Sequence, residues 1–181
     1  MNPRMKTAQP PYSPEINLLL SKTMPPGIAP LTLFTTLARD ERLFKKFFAG
    51  GLLDRGHLTL RHRELVIDRT TALNCCEYEW GVHIEFFADR VKLTPEQITS
   101  LARGNAQDDC WDMTERKLIR LCDELHHSSN VSQELWTDLL LEFSEEALLE
   151  LLMLAGFYRT VSYLCNSLRL PLEAYGRRFP A

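Results

Sequence analysis

Residues 61–83 read RHRELVIDRTTALNCCEYEWGVH, and this stretch decides the fold. Thr59, just before it, is a good N-cap residue, so a helix is expected over residues 60–73. Leu65, Ile67 and Ala72 supply its apolar contacts; Arg61, Arg63, Glu64, Asp68 and Arg69 supply charge. Asn74 breaks it, and a second helix is expected from Cys75 or Cys76 to Arg90. No period-two alternation runs through either segment, so neither reads as a strand.

Working outward, the same reading repeats. Residues 31–38 form a short helix and residues 41–53 an amphipathic one, loosened at its end by Gly50 and Gly51. Leu43, Phe44, Phe47 and Phe48 mark its apolar side. Thr94, Pro95 and Gln97 combine an N-cap, an N1 proline and an N3 glutamine, which starts a helix ending near Gly104. Thr114 is expected to cap residues 115–127, Ser132 residues 133–143, and Ser144 a long helix over residues 145–168. Within the last, residues 148–154 read LLELLML, more apolar than one face requires. Such a helix is expected to be buried, centrally or against another subunit. Composition agrees, with 31 Leu against 5 Val and 6 Ile. Leucine favours helices and β-branched residues favour strands, so the fold class is all-α.

The expected organisation is an irregular N-terminal arm (1–24), a compact helical domain (25–175) and a C-terminal tail (176–181). Pro3, Pro10, Pro11 and Pro14 make the arm irregular, and Pro25, Pro26, Gly27 and Pro30 mark a second such stretch. Residues 64–93 and 150–172 both open on Glu-Leu and run on as apolar helix, a pattern compatible with two degenerate helical repeats.

A chain of 181 residues can bury a core without disulfide or metal staples. A net charge of −3 offers no basic face, so no nucleic-acid partner is expected. No uninterrupted apolar run is long enough to span a bilayer, and the first residues lack the apolar segment of a signal peptide. No membrane association and a cytoplasmic location are therefore expected. The five cysteines, 75, 76, 110, 122 and 165, are odd in number and match no disulfide framework, so they read as reduced thiols.

Cys76, Glu79 and His83, placed on one helix, fall within a sector of about 60°. Glu79 and His83 are four apart and can touch, as can Cys76 and Glu79, three apart. Glu64 lies on the preceding helix, and antiparallel packing of the two would bring it to the same stripe. Two chemistries fit. His83 is the base suited to turning the Cys76 thiol into a nucleophilic thiolate. Alternatively, Glu79 and His83 are an acid–base pair and Cys76 a bystander. The plainer reading is a surface Glu/His pair beside a small core cysteine. All four side chains are zinc-ligand types, but no second ligand-rich segment accompanies them, so no metal or other cofactor is expected. His126 and His127 suit a helix C-terminus. His57 and His62 flank the Glu64 helix. Trp80, Phe86 and Phe87 read as core or interface.

These residues carry a resemblance. Arg63, Glu64 and Leu65, the run from Asn74 to Trp80, and His83 resemble the carboxymuconolactone decarboxylase family, within the alkylhydroperoxidase-D-like superfamily. The likeness continues through Thr94–Ile98, Gly104, Thr114–Arg116, Asp123–Leu125, Ser132 and Gly156–Tyr158, covering about residues 25–175. The resemblance implies a helical domain of that type, assembled as a homo-oligomer (dimer, trimer or hexamer). In the family's redox members a Glu precedes Cys-x-x-Cys-x-x-x-His, with the first Cys twelve positions on. Glu64, Cys76 and His83 keep that spacing, but Glu79 stands where the second cysteine falls. The dithiol peroxidase cycle is thereby put in question, and the decarboxylase side of the family is favoured. By that resemblance Glu64, Cys76, Glu79 and His83 are the candidate catalytic residues. The expected activity is acid–base chemistry on a small-molecule substrate, a lactone or activated carbonyl compound. The alternatives are peroxiredoxin-like activity through Cys76 with an external thiol, and a non-catalytic oligomeric scaffold. Tyr78, a relay position in some redox members, is expected instead to fill a subunit contact.

Overall fold

The computed structural model describes residues 2–25 and 27–181; Met1 of the arm and Pro26 of the second irregular stretch lie outside them. The described residues form nine helices and no strand, so the all-α expectation holds. In chain order they are α1 (Pro14–Thr23), α2 (Thr32–Leu37), α3 (Glu41–Ala49), α4 (Leu60–Leu73), α5 (Glu77–Phe87), α6 (Pro95–Arg103), α7 (Met113–Ser128), α8 (Gln133–Leu140) and α9 (Glu145–Leu168).

Most helix starts are where local chemistry put them. Thr59, Thr94, Ser132 and Ser144 accept hydrogen bonds from first-turn amides. α7 is a correction. Its cap is Asp112, not Thr114, because Asp112 and Glu115 complete a reciprocal capping box. The N-terminal arm is a second correction. Residues 14–23 are helical because the Ser13 side chain caps Ile16, Pro14 sits in the first turn and Glu15 complements the dipole. Ile16 and Leu20 then join Ala38 and Phe44 in a small satellite core. The tail is also held in place. The Arg177 amide donates to the Gly81 carbonyl at 3.0 Å, and Phe179 packs on Trp80. Gly81 has to be glycine, since a Cβ there would lie 2.2 Å from the Arg177 carbonyl oxygen.

The centre of the molecule is α4, packed by α5, α6, α7 and α9. Residues 64–72 are buried without a break. Hydrophobicity alone would have put α9 there. In fact α9 leaves Leu149 and Met153 largely exposed. By length and composition α9 could cross a membrane, but its other side is packed into this core. A helix as charged as α4 can be central because its cations are paired. Arg61 donates to Glu115 and to the Val91 carbonyl, each at 2.5 Å. Arg69 donates to Asp123 at 2.7 Å and to the Leu101 and Gly104 carbonyls at 3.0 Å. The two segments that look alike in sequence take different forms: residues 64–93 turn through α4 and α5, whereas residues 150–168 continue straight along α9.

Candidate active site

The link between α4 and α5 sets the site. Cys75 has left-handed backbone (φ 51°). Its amide donates to the Ala72 carbonyl, and the Cys76 amide donates to the Thr71 carbonyl, both at 2.9 Å. This paired pattern closes α4 as a Schellman motif, a place usually taken by glycine. The reversal leaves Cys75 exposed, buries Cys76 and makes Cys76 the N-cap of α5. From there α5 folds back along α4.

That packing brings three of the four expected residues together. His83 Nδ1 lies 2.7 Å from Glu64 Oε2, and His83 Nε2 lies 3.5 Å from Glu79 Oε1. Arg63 donates to the other oxygen of Glu64 at 3.0 Å. The imidazole lies between the rings of Phe87 and Tyr158. Glu64, Glu79 and His83 are all buried. Burial pushes the imidazole's pKa down, but the Glu64 and Glu79 carboxylates together outweigh it and raise it to about 10. His83 is therefore an imidazolium at neutral pH, held between two carboxylates.

Glu79 is the exposed end of this line in a chemical sense only. Its Oε2 is buried and has no hydrogen-bond partner. The residue lines two adjoining cavities of about 500 and 300 Å³, which share Lys22, Thr23, Phe34, Leu53 and Glu79. Phe47, Phe48, Phe157 and Tyr158 make the larger one aromatic. Lys22 and Arg90 supply cations at the smaller. A larger groove, about 850 Å³, runs along α6, but its polar groups already bond each other: Ser100 to Asp108 at 2.6 Å, and Trp111 to Ser100 at 2.7 Å. The Glu79 cavities are lined by a buried carboxylate with an unpaired oxygen.

Cys76 is fully buried at the start of α5, where Cys165 and Ser162 of α9 and Glu79 of α5 all act on its thiol. The Cys165 thiol, and after it the Glu79 backbone amide at the start of α5, outweigh burial and lower its pKa. The expected stripe took Cys76 as a residue of the helix, and it is the N-cap instead. His57 and His62 also stay apart. The His57 amide donates to Glu150, and His62 packs edge-on against Phe143. Tyr78 ties the chain to itself, donating to Glu173 at 2.5 Å and accepting from the Leu33 amide at 3.1 Å.

Three residues join the site that sequence reasoning passed over. Asp68 is fully buried one turn after Glu64. Burial, then the Glu64 charge, raise its pKa well above the carboxylate range, and its Oδ1 has no partner. Its i,i+4 spacing from Glu64 was a usable signal. Tyr158 and Cys165 come from α9, and no local spacing announces them.

Residues 41–121 match the carboxymuconolactone decarboxylase family model. No curated protein sequence matches the chain. Among solved structures, an uncharacterized peroxidase-related protein from Silicibacter sp. TM1040 superposes with a TM-score of 0.83 at 15% identity, covering 99% of both chains. A peroxidase-related protein from Ralstonia eutropha JMP134, described as an alkylhydroperoxidase AhpD core, gives 0.81 at 19% identity, covering 96% of this chain and 95% of that one. A cysteine-to-alanine variant of the debrominase Bmp8, in complex with 2,3,4-tribromopyrrole, gives 0.75 at 15% identity over 97% and 94%. At these identities the likeness speaks for the fold.

Proposed function

We propose that the chain, residues 41–121 of which match the carboxymuconolactone decarboxylase family model, is an enzyme of acid–base chemistry, moving protons on a small ring or lactone-like carbonyl compound. The observation that carries this reading is the unpaired, buried Oε2 of Glu79, a residue that lines an aromatic cavity. A buried carboxylate oxygen without a partner costs stability, and such a cost is commonly kept where the group meets a substrate.

Glu79 is the group that exchanges a proton with substrate. Its side chain faces the His83 imidazolium, and it acts first as a base. The proton it takes is returned to a neighbouring substrate atom from the same Oε2. His83 stays positive throughout and steadies the carboxylate, and Glu64 fixes the ring by holding Nδ1–H. The aromatic walls hold an apolar ring and exclude water, which strengthens every charge interaction inside. Lys22 and Arg90 suit a carboxylate or enolate oxygen on the substrate. The bound tribromopyrrole of the Bmp8 variant supports a ring of that size in a fold of this type.

The test is turnover of small lactones and carboxylated rings by wild type and Glu79→Gln. Loss of general acid–base catalysis should lower kcat/KM by about 10²–10⁴-fold, with the helical circular dichroism unchanged. If the variant turns over its substrate as fast as wild type, Glu79 is not the proton carrier and the reading fails.

A homo-oligomer is part of the same proposal. Leu149, Met153 and Tyr163 are exposed along one side of α9, an apolar stripe suited to a second copy of the chain. Light scattering should return a multiple of the 20.9 kDa chain mass, and Met153→Glu should shift it toward the monomer. A monomeric wild type would rule this part out.

A further inference from the structure

A smaller cavity, of about 170 Å³, lies between the C-terminal ends of α4 and α7 and the middle of α9. It shares no lining residue with the Glu79 cavities. Leu73, Leu125, Leu152 and Ala155 give it apolar walls. Gly156, exposed on α9, also lines it, and a Cβ there would meet nothing within 4 Å.

Two polar atoms of its lining residues are buried without a partner, Thr70 Oγ1 and His126 Nδ1. Thr70 is only 6% exposed. A helical threonine can donate to the carbonyl four residues back, and its neighbour Thr71 does so, to Ile67 at 2.8 Å. For Thr70 that acceptor is Val66, whose carbonyl receives the Cys122 thiol at 3.8 Å instead. Thr70 is near enough to act on the Cys122 thiol, which burial pushes up to about 12, yet its own hydroxyl makes no hydrogen bond. Buried polar atoms left unpaired cost stability, and here two of them belong to one cavity. Arg159 lines it too, and among the described lining residues there is no carboxylate.

We propose that this cavity binds a short-chain monocarboxylate, its carboxylate held by Thr70, His126 and Arg159 and its alkyl tail packed among the leucines.

The donors fit one carboxylate. Thr70 offers a hydroxyl, and a neutral imidazole can carry its proton on Nδ1. Burial, then Arg159 and His127, lower the His126 pKa, so the ring is neutral at pH 7; Asp123 acts against them and Arg69 with them. Arg159 spends Nε on the Tyr163 hydroxyl at 2.8 Å and Nη1 on the Leu125 and His126 carbonyls at 3.4 Å, and a guanidinium has a further nitrogen, Nη2, to offer. Charge and size narrow the class. The negative ends of α4 and α7 both face this region, so a dianion is disfavoured, and Arg159 offsets the α7 end through those two carbonyls. A cavity of about 150 Å³ can hold benzene, so a ligand the size of butyrate fits.

The experiment follows the His126 ring by NMR while the full-length protein is titrated with butyrate or with butyramide. Butyrate should move the ring resonances saturably and raise the ring's pKa, because a carboxylate beside an imidazole favours its charged form. Butyramide, the same shape without the charge, should bind about tenfold more weakly. Thr70→Val removes an unpaired hydroxyl at nearly constant shape, so it should fold as stably as wild type and weaken butyrate about tenfold. Ring resonances unmoved by butyrate would overturn the proposal. Equal binding of the amide, or unchanged butyrate affinity in folded Thr70→Val, would do the same. Glu79→Gln should leave butyrate binding as it is, so this site stands or falls separately from the acid–base reading.

Discussion

Two buried polar groupings flank α4, and they are built on opposite principles. Arg69 is well paired, with Asp123 on its Nε and two backbone carbonyls on its Nη1. At the other end of the same helix, Glu64, His83 and Glu79 form a line whose last oxygen is left unpaired beside a cavity. The paired group lies outside the cavities lined by Glu79, and its contacts hold α4 to α6 and α7. The unsaturated line holds itself in place at one end and is open at the other. Among buried charges, the accounting of partners separates framework from chemistry.

The largest effect should come from breaking the paired group. Arg69→Ala removes a buried cation and leaves half-buried Asp123 and the Leu101 and Gly104 carbonyls without it, which should cost about 3 kcal/mol of stability in urea denaturation. A loss under about 1 kcal/mol would mean that Arg69 is solvated and the contrast false.

The next effect is in the open line and concerns pH. Facing His83 are Glu64 and Asp68 from α4, Glu79 from its own helix and Tyr158 from α9. Its folded pKa of about 10 lies above the ordinary value of 6.5. The stability this contributes is fully present below pH 6.5 and is lost as pH rises through 10. An NMR titration of the His83 ring should find it still protonated at pH 8 in wild type, and shifted downward in Glu64→Gln. Titration near 6.5 in wild type would show that the carboxylates are not gripping the ring.

The same contrast explains what was legible in the sequence. Helices and their caps were readable because a cap is a contact within three or four residues, as at Thr59, Thr94, Ser132 and Ser144. The Glu64–His83–Glu79 line was readable because helical spacing and one short link nearly determine it. Cys76 was read as a helical residue and is the N-cap of α5 instead, because its neighbour Cys75 is left-handed, a conformation that residue type does not announce. The centrality of α4 was hidden because its burial depends on partners such as Asp123 and Glu115, far along the chain. Cys165 and Tyr158 were hidden for the same reason, since only the packing of α9 brings them in.

The smallest effect is the most discriminating one. If Glu79 is kept for chemistry, the fold should hardly need its charge. One of its oxygens has no partner, and the other is 3.5 Å from an imidazolium already anchored by Glu64. Removing the charge relieves an unpaired buried oxygen and forfeits a long contact, two terms of opposite sign. Glu79→Gln should therefore change unfolding stability by no more than about 1 kcal/mol in either direction. Asp68 provides the internal check, because its carboxyl is also buried with an oxygen unpaired, but burial and then the Glu64 charge push it toward the neutral form. Asp68→Asn should be equally mild in stability, and should move the His83 titration less than Glu64→Gln does. A Glu79→Gln loss of several kcal/mol would place Glu79 with Arg69 in the framework and remove the physical ground for treating the line as open.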